Sequence, residues 1–175
     1  SEFSTLLNAT ARYDRADVGL AVCLGDRGAA LERARSLLGT HRRNLSEGID
    51  LVTSEGVERT ANLQWFDAGT RIRETIVGIV AGMALGADGI GRDRPIVAFA
   101  DAGDGETKVS ARGTSALVRR GLDLSRVMRA AARAAGGDGR GNDGAAGATI
   151  PAHPRARVLA APHGAVTATP SAAAG

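Results

Sequence analysis

The sequence predicts an α/β fold in which a helical connector precedes a domain of interleaved strands and helices. Apolar residues recur at helical spacing through the first part of the 175-residue chain. From about Ile49 to Ile150, short apolar or alternating runs typical of strands are interleaved with helical patterns. We therefore expect a helical connector over residues 1–48, an α/β domain over residues 49–152 and a low-complexity, disordered tail over residues 153–175.

A change in the spacing of apolar residues separates the predicted helical connector from the first predicted strands. Residues 18–24 and 31–38 place apolar side chains at helical spacing on either side of a glycine-containing turn. Cys23 falls in the first of these apolar stripes, so we expect it to be packed. The runs 49–52 and 57–66 then predict two strands.

The strongest helical pattern in the chain follows these strands. Its apolar stripe runs from Ile72 to Met83, and Thr70 is the predicted N-cap. Gly78 and Gly82 lie inside this helix, which suggests close packing against another backbone.

The next segment predicts a hairpin followed by two helices. Residues 95–100 form an apolar run that begins with proline, and residues 107–112 alternate as its partner strand across the turn at 101–106. Thr114 or Ser115 and then Asp123 are suited to cap the two helices that follow.

Charge is distributed unevenly along the chain. The net charge is +3, but residues 111–175 hold nine arginines against three acids, whereas residues 51–110 hold six basic and nine acidic residues and residues 1–50 are balanced. A local cationic surface of this kind attracts phosphate groups, and the alternative is a solvated face.

Other counts exclude several classes of protein. A single cysteine allows no intrachain disulfide, and no apolar run of 18 residues or charged leader occurs, so we expect a cytoplasmic protein with no membrane partner. The three histidines are far apart and no Cys-x-x-Cys spacing exists, so we expect no metal site. Because the chain begins with Ser1 and not methionine, we also expect it to be a fragment.

Residues 136–144, which include five glycines, suggest a loop that holds a phosphate. Glycines let backbone N–H groups approach an anion, and a helical turn starting near Ala145 would add its positive end. Arg140 and Asn142 could supply further donors. The alternative is a flexible linker. The glycines assigned to the loop site are Gly137, Gly139 and Gly141.

A second candidate lies on the preceding strand. Strand alternation places Lys108, Ser110 and Arg112 on one face, where a cation, a hydroxyl and a guanidinium suit an oxyanion. An exposed strand face is the alternative. Together with the glycine-rich loop and the local charge, these residues favour phosphate binding.

These two segments carry a resemblance to a known family. Ser110-Ala111-Arg112, followed by the glycine-rich stretch and Ala145-Ala146-Gly147-Ala148, resembles the C-terminal DHH-associated domain of the DHH phosphoesterase superfamily, above all archaeal RecJ-like proteins. Residues 7–12 are similar to the RecJ-type segment that closes the catalytic DHH domain, which would put Asn8 and Arg12 at the edge of the active site.

The resemblance implies a small mixed-sheet domain with flanking helices that holds single-stranded DNA or RNA. The catalytic centre of such a metal-dependent exonuclease, loaded with Mn²⁺ or Mg²⁺, lies in a preceding domain, so this chain would contain no catalytic residue. Asn142 stands where the family loop has histidine, and it cannot carry a proton or a positive charge. With so few aromatic residues, base stacking is not the expected source of binding, and Trp65 is assigned to the core.

Three other functions remain open. The parent protein could be a non-catalytic scaffold associated with the replicative helicase, a role that Asn142 favours. It could instead be a phosphodiesterase that acts on short oligonucleotides or cyclic dinucleotides. An accessory domain of the alanyl-tRNA synthetase type is the third alternative.

Overall fold

The computed structural model describes residues 2–152 and 158–159 of the chain. Its helices and strands are, in chain order, α1 (Glu2–Arg12), α2 (Ala16–Cys23), α3 (Ala29–Glu55), β1 (Glu58–Arg59), β2 (Gln64–Asp67), α4 (Val77–Ala84), β3 (Ile96–Gly103), β4 (Glu106–Arg112), α5 (Ser115–Arg119), α6 (Leu124–Ala134), β5 (Asp138–Gly141) and β6 (Ala145–Pro151). The chain forms two compact units, Ser1–Gly48 and Ile49–Gly175. The predicted tail falls almost entirely outside the described residues.

The first unit is helical, as the apolar periodicity predicts. Its buried core includes Leu6, Ala9, Val18, Val22, Ala30, Ala34 and Leu38. Helices α1 and α2 approach closely at Gly19, where a Cβ atom would overlap the Thr10 hydroxyl. His41 is 5% exposed and packs edge-on against Tyr13, with ring centroids 5.8 Å apart. Cys23 is exposed at the end of α2, so the prediction that it is packed was wrong.

The second unit contains a six-stranded mixed sheet in the order β1-β2-β3-β4-β6-β5. Strands β2 and β3 are parallel, and every other neighbouring pair is antiparallel. The predicted hairpin of β3 and β4 is confirmed, and so are the caps of the helices that follow. Thr114 Oγ1 accepts a hydrogen bond from the Leu117 N–H at 3.3 Å, and Asp123 Oδ1 accepts one from the Arg126 N–H at 2.9 Å.

The sheet carries a helix on each face. Helix α6 packs on β4, β5 and β6, over a core that includes Phe99, Val109 and Ile150. Trp65 packs edge-on against Phe99 at the margin of this core, as expected, with ring centroids 6.0 Å apart. Helix α4 packs on β3 and β4 and buries the opposite face, because successive side chains of a strand alternate between faces.

Three expectations about the elements between residues 49 and 84 were wrong. The run 57–66 is not one strand, because it divides into β1 and β2, which pair antiparallel across a turn in which the Thr60 N–H donates to the Leu63 carbonyl at 2.8 Å. Residues 49–52 belong to α3 and not to a strand, because the helix continues until Gly56, which has φ +78° and ends it. Helix α4 begins at Val77, so Thr70 is not its N-cap. The chain instead turns after β2, where Gly69 has φ +54° and donates a hydrogen bond to Asp67 Oδ1 at 2.9 Å.

None of the helices in the described part of the chain combines the length and apolar character that crossing a bilayer requires.

Candidate functional site

Strand β4 presents three polar side chains to the α4 side of the sheet. Lys108 and Arg112 are half-buried, and Ser110 is 4% exposed. Their neighbours in sequence, Val109 and Ala111, belong to the core under α6, so the alternation predicted from the sequence is confirmed. A cation, a hydroxyl and a guanidinium therefore follow one another along one face of a rigid central strand.

Arg112 lies against two glycines of α4. A Cβ atom on Gly78 would overlap Arg112 Nη2 and would lie 3.0 Å from both Arg112 Cζ and Ser110 Oγ. A Cβ atom on Gly82 would make ordinary contacts of 3.6 and 3.7 Å with Arg112 Cγ and Cδ. The predicted close approach at these glycines is therefore to a side chain and not to a backbone. Arg112 Nη1 also donates to the carbonyls of Ala111 at 2.7 Å and Ala146 at 3.3 Å.

The strand register adds Arg140 to the same face. Ser110 is opposite Gly147 on β6, and Gly147 is opposite Arg140 on β5. With neighbouring strands about 4.8 Å apart, the Cα atoms of Ser110 and Arg140 are separated by about 10 Å. Lys108, Ser110, Arg112, Arg140 and Gly147 are called the cationic face below.

Gly147 keeps the middle of the cationic face free of side chains. The position of its missing Cβ atom is 3.9 Å from Ser110 Oγ and 3.1 Å from the Val109 carbonyl oxygen. The side chain of Arg140 is 90% exposed and lies 3.7 Å from the exposed carboxylate of Asp138. Because an ion pair between exposed groups is worth little, Arg140 can exchange this partner for another anion.

The glycine-rich segment is a β-hairpin and not the expected loop, and no helix begins behind it. Residues 138–141 form β5, and Ala145 begins β6, so the expected helical turn at that point does not exist. Successive residues of β5 face opposite sides of the sheet, and this places two of the predicted phosphate-binding residues on different faces. Arg140 belongs to the cationic face, whereas Gly139 is opposite Ala148 and faces α6.

Packing accounts for the glycines of this hairpin. A Cβ atom on Gly139 would lie 2.6 Å from the Met128 carbonyl oxygen in α6, so only glycine lets the strand approach the helix this closely. A Cβ atom on Gly137 would overlap the Thr149 carbonyl, and Gly141 has φ +147°. These three glycines position the hairpin, and the role in phosphate binding assigned to them from the sequence stays a prediction.

Asn142 organises the turn between β5 and β6. Its Oδ1 accepts hydrogen bonds from the N–H groups of Gly144 at 3.1 Å and Ala145 at 2.9 Å. The turn is attached to the end of β4, because the Gly113 N–H donates to the Gly144 carbonyl at 2.9 Å. Asn142 thus lies at the Arg112 end of the sheet, and its oxygen is used within its own turn.

The remaining candidate residues lie elsewhere. Asn8 and Arg12 are on α1 in the first unit; Asn8 is exposed and Arg12 is half-buried. Within residues 2–152 and 158–159, no group of three or more His, Cys, Asp or Glu side chains could hold a metal ion. The described residues therefore do not fit a site for Mn²⁺ or Mg²⁺.

The composition of residues 136–144 predicts a loop, so the face that Arg140 shares with the side chains of β4 is not apparent from these residues alone. The signal for the pairing is the small-residue alternation of Ala146-Gly147-Ala148, in which both alanines are buried and the glycine between them faces the other way. Read as a strand, this segment places Gly147 and its partners on the adjacent strands, Ser110 and Arg140, on the α4 side.

Three comparisons with known proteins bear on this site. The family model of the DHHA1 domain matches residues 63–163. An uncharacterized protein of the archaeon Methanocaldococcus jannaschii is 32% identical over 147 residues, which are 84% of this chain and 30% of that protein.

Among solved structures, RecJ from Thermus thermophilus is similar in fold. Its complex with Mn²⁺ matches 89% of this chain and 23% of RecJ, with 20% identity and a TM-score of 0.66. Its complex with Mg²⁺ matches 89% of this chain and 24% of RecJ, with 23% identity and a TM-score of 0.59. This chain therefore spans less than a third of the length of either relative, and the fold agrees with the predicted α/β class.

Proposed function

Because this chain belongs to the DHHA1 domain family, we propose that it is the nucleic-acid-binding part of a RecJ-like phosphodiesterase that degrades single strands. The observation that carries the proposal is the cationic face. It brings two arginines, a lysine and a buried hydroxyl to one side of the sheet, beside a glycine that leaves room for a ligand.

The chemistry of this face suits phosphodiester groups. Guanidinium groups bind phosphate oxygens through two parallel N–H donors, and a lysine adds a point charge. Arg112 is held by α4 and by two carbonyl groups, so little conformational freedom is lost when a phosphate binds. Lys108 and Arg140 are neighbours of the Ser110–Gly147 pair and would hold adjacent phosphates of an extended strand.

In this proposal, the described residues bind the nucleic acid and another domain supplies the catalytic metal ions. The described residues bind and orient the strand through its phosphates, and the metal ions that activate water belong to a domain outside this chain. Such ions would be Mn²⁺ or Mg²⁺. We assign no catalytic residue to this chain.

The test is binding of the 175-residue chain to a fluorescein-labelled 20-nucleotide oligothymidylate, followed by anisotropy at several salt concentrations. Arg112→Ala should weaken binding at least tenfold at 0.1 M NaCl, because a hydrogen bond to a charged group is worth about 1.5–3 kcal/mol. Arg33→Ala, which removes an exposed arginine of α3, is the matched control and should bind normally. Unchanged affinity of Arg112→Ala would overturn the proposal.

A second function is favoured by Asn142. Its oxygen is engaged in its own turn, and the amide holds no transferable proton where the resembling family has histidine. The whole protein would then be a scaffold, associated with the replicative helicase, that binds strands without cleaving them. Cleavage of oligothymidylate by the whole protein with Mn²⁺ would refute this alternative.

A further inference from the structure

Helix α6 carries a row of arginines on the side of the sheet opposite the cationic face. Arg126, Arg129 and Arg133 are exposed, whereas Met128 and Ala132 on the other side of the helix are buried. At about 100° and 1.5 Å per residue, the three arginines fall within a sector of about 60° and span about 10 Å along the axis. They are called the α6 stripe below.

The stripe is free of acidic side chains along its length. Helix α6 contains no Asp or Glu, and Asp123 at its N-cap accepts a hydrogen bond from the Arg126 backbone N–H. Within the described residues, no ion pair is formed by the side chains of the stripe. Exposed helix faces normally mix charges of both signs, whereas this face has, in the described part of the chain, a single carboxylate, that of Asp123 at its N-terminal end, and keeps a net positive charge.

The surface beside the arginines is open. Ala130 lies next to the α6 stripe, about 40° around the helix from Arg126, and lines a shallow depression of about 420 Å³ together with the three arginines and Asp123. A small residue at this position allows a polymer backbone to approach the helix. Arg129 is held in place by donating to Ser125 Oγ at 2.6 Å and to the Ser125 carbonyl at 3.3 Å.

We propose that the α6 stripe is a second binding surface for the phosphate backbone of the same nucleic acid, separate from the cationic face. The stripe offers three cations and no aromatic or amide side chain, so it would bind phosphates without reading bases. Edge strand β5 packs against α6 and carries the exposed Arg140, which gives a strand a positively charged route around the edge of the sheet. The choice of ligand rests on the proposed function, but the residues are different.

Salt dependence provides a quantitative test. Each phosphate contact with a single strand adds about 0.7 to the steepness of the fall of log K with log salt, and slope is used here for that steepness. Removing three contacts should lower this slope by about 2, and at 0.1 M NaCl it should weaken binding by about a hundredfold. An effect of this size is well outside the error of an anisotropy titration.

The experiment compares variants of the 175-residue chain on the labelled 20-nucleotide oligothymidylate between 50 and 200 mM NaCl, roughly the range over which phosphate contacts change affinity most visibly. The test variant is Arg126→Gln/Arg129→Gln/Arg133→Gln, because glutamine preserves helix propensity. The matched control removes three exposed arginines of α3 in Arg33→Gln/Arg35→Gln/Arg43→Gln. Replacing the α6 stripe with three lysines is the conservative variant, and circular dichroism melting reports folding of each.

Weaker binding and a lower slope for the glutamine variant of α6, with both restored by lysine and neither changed in the control, would support the proposal. Wild-type affinity and slope in the glutamine variant of α6 would overturn it. If Arg112→Ala still weakens binding in that case, the proposed function survives and only the α6 stripe is refuted. An equal loss in the α3 control would also overturn it, because net charge alone would then explain the effect.

Discussion

Replacing Gly78 with alanine tests whether the position of the Arg112 guanidinium controls phosphate binding. The new Cβ atom would overlap Nη2 and lie 3.0 Å from Cζ, whereas carbon atoms in contact prefer about 3.5–4.0 Å. The end of the arginine side chain must therefore move by about 0.5–1 Å. Ser110 Oγ is also 3.0 Å from the new Cβ atom. Because Ser110 is buried, it limits the directions in which the guanidinium can move.

The expected effect is on affinity more than on stability. Crowding in a packed region costs about 1–3 kcal/mol, but here the neighbour is the end of a flexible side chain, and alanine in place of glycine favours a helix by up to about 1 kcal/mol. We therefore expect the free energy of unfolding to change by less than about 1 kcal/mol. Affinity for oligothymidylate should fall about tenfold, which corresponds to about 1.4 kcal/mol.

Gly82→Ala is the matched control. Its Cβ atom would make ordinary contacts with the aliphatic part of Arg112, so the guanidinium stays in place. This variant should be as stable as the wild type or up to about 1 kcal/mol more stable, with unchanged affinity. Anisotropy titration and urea denaturation measure the two quantities. A folded Gly78→Ala protein with wild-type affinity, or an equal loss in Gly82→Ala, would refute the reasoning.

Two further predictions concern stability. Thr107 is fully buried, and its Oγ1 has no hydrogen-bond partner among the described residues, so Thr107→Val should raise the free energy of unfolding by about 1 kcal/mol in urea; a loss of stability would indicate a partner for this hydroxyl. Burial and, to a smaller degree, the charge of Arg12 lower the pKa of the His41 imidazole below its ordinary value of about 6.5. The unfolded chain therefore binds a proton at a higher pH than the folded one, and stability should fall as the pH drops below about 6.5. Urea unfolding at several pH values should show a smaller decline of the unfolding free energy in His41→Leu than in the wild type. Identical pH profiles of the two proteins would show that His41 is not the source of the decline.

Much of the fold follows from local patterns in the sequence. The hairpin of β3 and β4 is specified by an apolar run, a turn and an alternating run, and the caps at Thr114 and Asp123 act as their side chains predict. The family match confirms the resemblance drawn from Ser110-Ala111-Arg112 and the glycine-rich segment. These signals depend on contacts between residues that are close in sequence.

The errors arose where the context of a segment, and not its own composition, decides its structure. Ile49, Leu51 and Val52 are apolar, which favours strands weakly, but they continue a long helix that ends only at Gly56. The run at 136–144 has the composition of a loop, yet Gly139 is glycine because α6 lies against it. The glycines themselves predict neither that α6 packs against this strand nor how closely it does so.

The site was predictable in part for the same reason. Alternation within β4 is local, so the shared face of Lys108, Ser110 and Arg112 was correctly predicted. The position of Arg140 depends on the register of two further strands, and the position of the Arg112 guanidinium depends on Gly78, which is more than thirty residues earlier in the chain.

Gly147 has a consequence for how a bound strand could move. At the centre of the cationic face the surface is bare peptide, and the exposed Arg140 beside it would meet only phosphates and sugars. Every nucleotide step of a strand would then have nearly the same free energy of binding. A strand on such a surface can advance by one nucleotide through the exchange of one phosphate for the next, without a barrier that depends on its bases.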